Sequence, residues 1–145
     1  MKEGDLKTVG ELERQLTQGI RSLHLSQLGH APQKISCHLF SNQLAVTVEG
    51  SFLAVEQLFL HNERSELATS VRATIDQLLR PSLISVIETT LDVRVNTVLS
   101  NSCSDSNITG IIIVLDKTPA VRNPAAIPKT KLFKKRRLRE RENAI

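Results

Sequence analysis

The sequence predicts one α+β domain, in which a four-stranded antiparallel or mixed sheet carries helices packed on one of its faces. Two observations lead to this fold class. Apolar residues recur at three- and four-residue steps in some segments and at every second position in others, and these patterns follow one another in the order α-β-β-α-α-β-β. The chain of 145 residues is 40% hydrophobic, enough for one core, and its 3% aromatic content leaves Leu, Ile and Val to fill that core.

The first helix is predicted from a capping sequence followed by an apolar stripe. Thr8–Glu11 reads TVGE, in which the threonine oxygen can accept from a first-turn amide while the glutamate reaches back. Gly29 and Pro32 predict the end of this helix. The stripe, whose members fall on one helical face, consists of Val9, Leu12, Leu16, Ile20 and Leu23.

Two β-hairpins are predicted from the alternation of apolar and polar residues. Lys34–Phe40 and Gln43–Glu49 form the first hairpin, since every second residue in each of them is apolar. Val93–Leu99 and Thr109–Leu115 form the second, and the polar stretch Asn101–Asn107 is its predicted connection.

Two further helices are predicted between the hairpins. Ser51 is expected to cap a short helix that runs through Leu53, Val55, Leu58 and Phe59. The segment from Ser65 to about Leu91 carries a longer stripe, which Pro81 interrupts because proline has no amide donor. One kinked helix is the favoured interpretation, with two consecutive helices as the alternative. The stripe consists of Leu67, Val71, Ile75, Leu78, Leu83, Ile87 and Leu91.

Composition divides the chain into three parts. Residues 1–118 form the predicted domain, residues 119–128 an extended linker, and residues 129–145 a basic tail. The linker is punctuated by three prolines and has no apolar stripe.

The tail is the strongest functional feature of the sequence, because it carries most of the positive charge. Residues 1–120 contain ten Lys or Arg and thirteen Asp or Glu, a net charge of −3, whereas residues 121–145 contain nine and two, a net charge of +7. Such a tail can attach to anionic lipids, to the acidic surface of a protein partner or membrane transporter, or to nucleic-acid phosphates, and it can also serve solubility alone. The predicted partner-binding residues are Lys129, Lys131, Lys134, Lys135, Arg136, Arg137, Arg139 and Arg141.

No pattern in the sequence predicts catalysis, a cofactor or a metal site. His38 follows Cys37 on a predicted strand, where neighbouring side chains point to opposite faces and cannot bind one ion together. Asn101–Asn107 lacks the glycines of a phosphate-binding loop and the spacing of a calcium loop. We therefore expect a protein that is not an enzyme. Cys37 and Cys103 are interpreted as reduced thiols, buried or half-buried.

A cytoplasmic protein that can associate peripherally with a membrane is predicted. The chain has no apolar run of the length that a membrane span requires, and its charged beginning is unlike a signal peptide. A homodimer is also predicted, because the strands contain more apolar surface than one layer of helices is expected to cover. The residues behind this prediction are Val46, Val98, Ile112 and Val114.

Three segments resemble one protein family. Leu28–Gly50, LGHAPQKISCHLFSNQLAVTVEG, is similar to the family's opening turn and its hairpin ending in Glu-Gly; Gln57–Asn62 resembles the short helix that follows. Leu79–Ser102 resembles the family's centre, a helix with Arg-Pro followed by a strand. This is the family of MpsC, named after a bacterial sodium-translocating, membrane-potential-generating system, and the resemblance covers roughly residues 8 to 116. It implies association with membrane ion or inorganic-carbon transport and supplies no catalytic residue.

Together these observations predict a non-enzymatic accessory or regulatory protein that docks on a partner through its domain and its tail. The resemblance implies that this partner belongs to a membrane transport system. The alternative is a nucleic-acid-associated protein whose tail binds phosphates. A small enzyme comes third, because no nucleophile and base stand in a recognisable pattern.

Overall fold

The computed structural model describes residues 5–129 of the chain. Within them, three α-helices and four β-strands follow one another in the predicted order, which confirms the α+β fold. The elements are α1 (Val9–Leu28), β1 (Lys34–Phe40), β2 (Gln43–Glu49), α2 (Ala54–His61), α3 (Ser65–Leu91), β3 (Val95–Cys103) and β4 (Ile108–Leu115), and a short 3-10 turn (Pro124–Ala126) follows.

The four strands form one sheet in the order β1-β2-β4-β3. All three pairings are antiparallel, so the predicted sheet is antiparallel rather than mixed. β2 and β4, which come from different hairpins, lie side by side, with Val46 opposite Ile111. The two hairpins therefore join into a single sheet, and β1 and β3 become its edges.

One face of the sheet carries the core under the helices. A cross-strand row on this face runs through Leu39, Leu44, Ile113 and Val98, and the predicted apolar stripe of α1 is buried in the same core. Each large aliphatic side chain that leaves water contributes roughly 1.5–3 kcal/mol. This two-layer core is therefore the main source of stability, and it confirms that the helices pack on one face.

The ends of α1 agree with the sequence prediction. Thr8 is the N-cap, and its Oγ1 accepts from the N–H of Glu11 at 3.2 Å. Gly29 ends the helix in the left-handed region with φ of 67°, and its N–H donates to the carbonyl of Leu25 at 3.0 Å. Glycine suits this position because it has no Cβ to clash there.

α3 runs through Pro81 as one helix of 27 residues, which confirms one helix over two. Its buried stripe differs from the predicted one in the N-terminal half of the helix. Leu67 and Leu78 are exposed, whereas Arg72 and Leu79 are buried. The apolar pattern predicted the wrong residues to be buried, because one position of the buried stripe, Arg72, is not apolar. The buried residues of α3 are Ala68, Arg72, Leu79, Leu83, Ile87 and Leu91.

The second hairpin is shifted from its predicted position. β3 extends from Val95 to Cys103, whereas the sequence predicted residues 93–99. Residues 100–103 continue the strand by pairing with β4, so the connection shrinks to residues 104–107. This end of β3 is largely exposed, so its residues are polar and give no alternating signal.

Residues 119–128, interpreted from the sequence as an extended linker, lie against the domain. Val121 and Ile127 are buried in the core. The N–H of Ser41 donates to the carbonyl of Pro128 at 2.8 Å. Two isolated apolar residues can anchor an extended segment without forming a stripe, and a truncation that spares the domain must therefore end beyond this segment.

Candidate functional site

α2 buries a carboxylate instead of an apolar residue. Glu56 is 0% exposed, while Val55 and Leu58 of the same helix lie at the surface. Its Oε2 accepts from the N–H of Leu53, the N-cap residue, at 2.7 Å. Ser51 does not cap the helix, contrary to the prediction. Glu56, rather than the predicted apolar residues, therefore anchors this short helix.

Arg72 of α3 pairs with Glu56 in the interior. Its Nε and Nη2 donate to the two carboxylate oxygens at 2.7 and 2.5 Å. Nη2 also donates to the carbonyl of Ser51 at 3.2 Å, and the guanidinium lies over the ring of Phe52, 4.3 Å from its centroid. Arg72 is itself buried. This two-pronged geometry is the strong form of the Arg–carboxylate pair, and it ties α2 to α3.

A chain of hydrogen bonds extends this pair to the sheet. Nη1 of Arg72 donates to Oδ1 of Asp76 at 3.3 Å, and Ser102 of β3 donates to Oδ2 of Asp76 at 3.2 Å. Because a hydroxyl has one proton, Thr109 of β4 is the donor in its 2.8 Å bond with Ser102. Glu56, Arg72, Asp76, Ser102 and Thr109 form what we call the Arg72 network, which joins α2, α3, β3 and β4.

An open groove of about 440 Å³ lies beside the Arg72 network, between α3 and the uncovered end of β3. We call it the α3–β3 groove. Its wall combines apolar, hydroxyl, amide and charged side chains, which are Phe52, Leu60, Ala68, Thr69, Arg72, Ala73, Asp76, Gln77, Arg80, Ser100, Asn101, Ser102 and Ser104. Arg72, Arg80 and Asp76 of α3 therefore lie beside apolar side chains in this groove.

A smaller cavity of about 40 Å³ adjoins the groove, since Arg72, Asp76 and Arg80 line both. His24 and Ser51 form part of its wall. The hydroxyl of Ser51 is buried and makes no hydrogen bond to any residue within 5–129. A cavity of this size accommodates a water molecule, to which Ser51 offers a hydrogen bond.

His24 is a buried titratable group of α1 beside the Arg72 network. Its Nδ1 lies 2.9 Å from the carbonyl oxygen of Ile20, and a carbonyl only accepts, so the neutral ring carries its proton on Nδ1. Burial lowers the pKa of His24 below 6.5, and the charge of Arg72 acts in the same direction. The opposing contributions come from the hydrogen bond to Ile20 and the charge of Asp76. The folded protein therefore favours a neutral His24.

Stability is expected to fall as the pH drops below about 6.5, because the unfolded chain then binds a proton that buried His24 resists. The stabilisation that neutral His24 gives the folded state is fully present above that pH. It is lost as the pH falls towards the lowered pKa of His24 in the folded protein. Urea unfolding between about pH 7.5 and 5.5 measures this loss. In His24→Gln the decline in the free energy of unfolding should be shallower than in the wild type; an equally steep decline in the two proteins would contradict this role of His24.

The second face of the sheet has no helix over it within residues 5–129. Leu99, Ile112 and Ala45 form a cross-strand row on this face, and in the next row Val114 and Phe40 flank the polar side chain of Gln43. Leu99 is 59% exposed, and Ile112 and Phe40 are exposed as well. We call these five apolar side chains the open face. They form an apolar surface on the outside of the domain.

The residues from which an uncovered sheet surface was predicted fall on both faces. Ile112 and Val114 belong to the open face, as predicted. Val46 is buried under the helices and Val98 packs against the core, so for these two residues the prediction was wrong. The uncovered surface is real, but Leu99 and Phe40 contribute more to it than two of the valines.

The two cysteines have different environments. Cys37 is buried, and burial raises the pKa of its thiol. Cys103 is exposed rather than buried or half-buried, because it ends β3 beside the turn. Hydrogen bonds involving Ser106 lower the pKa of the Cys103 thiol. Within residues 5–129 no three His, Cys, Asp or Glu side chains lie close enough together to hold a metal ion.

Most of the predicted partner-binding residues lie outside the described part of the chain. Lys129 is the last described residue and is exposed. The other seven, which are Lys131, Lys134, Lys135, Arg136, Arg137, Arg139 and Arg141, fall within residues 130–145. The role of the tail therefore stays a prediction from the sequence.

Sequence reasoning missed both members of the buried ion pair. Glu56 is the one charged residue in the largely apolar stretch AVEQLFL, and Arg72 stands in line with Ala68 and Leu79 at helical spacing. The pair could have been suggested by a negative residue at the inward position of α2 and a positive residue at an inward position of α3.

The sequence description of one protein family matches residues 8–117, which is most of the chain and nearly all of the described domain. That family is described as Na+-translocating membrane potential-generating system (MpsC). The chain belongs to the MpsC family. The match confirms the resemblance of the three segments, while no curated protein and no solved structure matches this MpsC-family chain. None of the helices within residues 5–129 has the length and apolar character needed to cross a bilayer.

Proposed function

We propose that this MpsC-family chain is a non-enzymatic accessory protein that regulates a Na+-translocating, membrane-potential-generating system. The family description supports the link to such a system. The observation that carries the accessory role is the open face, an apolar surface on a sheet whose other face already holds the core. Contiguous exposed apolar surface of this kind is typical of protein–protein contact sites.

The geometry of the open face suits a flat protein partner. Strands lie about 4.8 Å apart, so the apolar row of Ala45, Ile112 and Leu99 on three neighbouring strands is on the order of 10 Å wide. Leu99 and Ile112 are directly opposite each other on β3 and β4 and form its most exposed pair. We propose that these two side chains anchor a subunit of the membrane system or a second copy of the chain as a homodimer.

The basic tail adds electrostatic attachment to this contact. Residues 121–145 have a net charge of +7, while the rest of the chain is slightly acidic. Near an anionic leaflet each such charge contributes about 1 kcal/mol, and an acidic protein surface attracts the same charges. The proposal therefore places the protein in the cytoplasm, peripheral to the membrane, with its tail on acidic lipid or on an acidic transporter surface.

Binding rather than catalysis is proposed because the buried charged groups are committed to one another. Both oxygens of Glu56 accept from Arg72, and both oxygens of Asp76 accept hydrogen bonds, one of them from Ser102. A general base must reach the substrate proton, whereas Glu56 is 0% exposed and Asp76 is held by Arg72 and Ser102. The Arg72 network is therefore assigned a structural role, in which it joins α2 and α3 to the sheet.

Leu99→Asp is expected to reduce Na+-dependent membrane potential in host cells that lack the native gene and carry the variant. Leu58→Asp is the matched control, because Leu58 is 58% exposed on α2 and Leu99 is 59% exposed on the open face. Potential-sensitive dye fluorescence reports the potential, and immunoblotting verifies equal amounts of protein. Equal potentials in the two variants would exclude the open face as the docking surface.

Attachment through the tail is tested by fractionating lysates of cells that produce the full chain or a chain ending at Lys129. That end point keeps the core residues Val121 and Ile127. The full chain is expected in the membrane pellet at low salt and in the supernatant at high salt, because salt screens the tail. Release by nuclease alone would instead favour the nucleic-acid alternative, and identical behaviour of the two chains would remove the tail from the proposal.

A further inference from the structure

β3 is an edge of the sheet that lacks the usual protection against pairing with another chain. Its nine residues read VNTVLSNSC and include no charged residue and no proline. At β1, the other edge, the N–H of Leu39 donates to Glu13, and the N–H of Ser41 donates to the carbonyl of Pro128. Charges, prolines and covering segments are the means by which proteins usually block an edge strand. The two edges of this sheet therefore differ, and β3 is the open one.

The backbone of β3 directs its free groups outward at Val98 and Ser100. The N–H of Leu115 donates at 2.8 Å to the carbonyl of the residue before β2, so every second residue of β4, counted back from Leu115, bonds towards β2. The alternate residues of β4 bond towards β3, and among them Ile112 is opposite Leu99. Leu99 therefore uses its N–H and C=O within the sheet, whereas its two neighbours direct theirs away from β4.

The free part of this edge has an end on each side. The outward N–H of Val95 donates to Glu88 at 2.9 Å, and the register shifts just after Val95. At the other end, the N–H of Ser102 donates to Oδ1 of Asn101 at 3.0 Å. In the described part of the chain no strand pairs with the edge between these ends. Two outward amides remain, one on each side of Leu99.

We propose that two copies of the chain form a homodimer by pairing their β3 strands antiparallel, with the two-fold axis at Leu99. In this register Val98 lies opposite Ser100 of the second copy, and each such pair exchanges two backbone hydrogen bonds. The axis relates the two free residues of one copy to those of the other, as a self-complementary interface requires. The four bonds therefore use every free amide of both edges.

The side chain of Leu99 favours a second copy over an extended segment of an unrelated protein. Leu99 is 59% exposed and lies opposite itself across the axis, in a pair whose Cα atoms are about 4.5 Å apart. The row of Ala45, Ile112 and Leu99 then continues into the same row of the second copy. Pairing therefore covers the most exposed apolar side chain of the open face and makes the two open faces continuous.

The pairing does not rest on the accessory role proposed above, because it needs only the chain itself. It adds to that role a larger docking surface, since a partner would meet the apolar rows of two copies rather than one. The contact between the copies is the edge of β3, whereas the open face remains available to the membrane system.

Sedimentation equilibrium of the full chain tests the pairing, and we expect twice the 16.1 kDa of one chain. Ser100→Pro removes one outward donor from each copy and no donor from the bonds between β3 and β4, a position at which an edge strand accepts proline. It should raise the dissociation constant of the dimer at least about tenfold. Ser100→Ala keeps every backbone group and should leave the constant unchanged. Circular dichroism verifies that both variants are folded.

A second pair of variants tests the register without proline. Leu99→Asp and Leu99→Lys each place two like charges opposite each other at the axis, so each protein alone should be monomeric. An equimolar mixture of the two should form a dimer with one chain of each kind, because the charges are then opposite in sign. Leu58→Asp, at a position of 58% exposure on α2, should remain dimeric.

Three results would overturn the pairing: a monomeric wild type, equal dissociation constants in Ser100→Pro and the wild type, or a mixture of Leu99→Asp and Leu99→Lys that stays monomeric. A monomeric wild type would do so even if Leu99→Asp lowered the membrane potential, which would leave the accessory role standing. A dimeric wild type and a monomeric Ser100→Pro, together with unchanged potential in Leu99→Asp, would support the pairing and reject the accessory role.

Discussion

Replacement of Arg72 by Met is expected to lower the free energy of unfolding by about 3–5 kcal/mol. The substitution removes both guanidinium donors from Glu56, which is 0% exposed and keeps the N–H of Leu53 as a donor. A carboxylate that is buried without its partner costs far more than the loss of one surface contact. Urea unfolding followed by circular dichroism measures the change. A loss of this size is a large part of the roughly 5–15 kcal/mol that usually stabilises a domain.

Two further variants distinguish the loss of stability caused by breaking the buried pair from that caused by removing any arginine of α3. Arg80→Met changes an exposed arginine on the same helix and should alter stability by less than about 0.5 kcal/mol. The double variant Glu56→Leu/Arg72→Met removes both charges together and should recover most of the lost stability. If Arg72→Met were as stable as Arg80→Met, the ion pair would not be buried. If the double variant lost as much stability as Glu56→Leu and Arg72→Met lose separately, added together, the two charges would act independently.

The elements of the first half of the fold could be predicted because burial there is one-sided and the buried residues are apolar. In β1 and β2 the buried positions alternate strictly, and in α1 they recur at three- and four-residue steps. Under these conditions the period of the apolar residues is the period of the secondary structure. The Thr8 cap and the left-handed Gly29 then mark both ends of α1.

The Arg72 network was not predicted, because beyond the two inward charges of α2 and α3 it depends on contacts between distant positions. Arg72 lies 16 residues from Glu56, and Ser102 lies 26 residues from Asp76. A lone charged residue in a helix is ordinarily assigned to the solvent, since charges are rarely buried without partners. Only the packing of α2 on α3 supplies the partner that makes burial of Glu56 acceptable.

The polar half of β3 and the packed C-terminal segment escaped prediction for a related reason. Residues 100–103 extend a strand that the helices leave largely uncovered, so no apolar alternation marks it. Val121 and Ile127 anchor an extended segment at two points, which is too few to define a period.

Leu79→Ala is expected to cost about 2–5 kcal/mol, whereas Leu78→Ala should cost less than about 0.5 kcal/mol. Leu79 is 7% exposed and Leu78 is 70% exposed, although the apolar stripe of the sequence selects Leu78. The two variants are matched, because the same side chain is removed at adjacent interior positions of one helix and the change in helix propensity is the same. Urea unfolding of the two proteins under identical conditions gives the comparison.

The same pair of variants also decides where Arg72 lies. Arg72 and Leu79 are two helical turns apart, so they occupy the same side of α3 and must be buried or exposed together. If Leu78→Ala cost more stability than Leu79→Ala, the buried side of α3 would be shifted by one residue. Arg72 would then face away from Glu56. The ion pair, the bond to Asp76 and the wall of the α3–β3 groove would then all be misplaced. A larger cost for Leu79→Ala instead supports the register that places Arg72 beside Glu56 and Asp76.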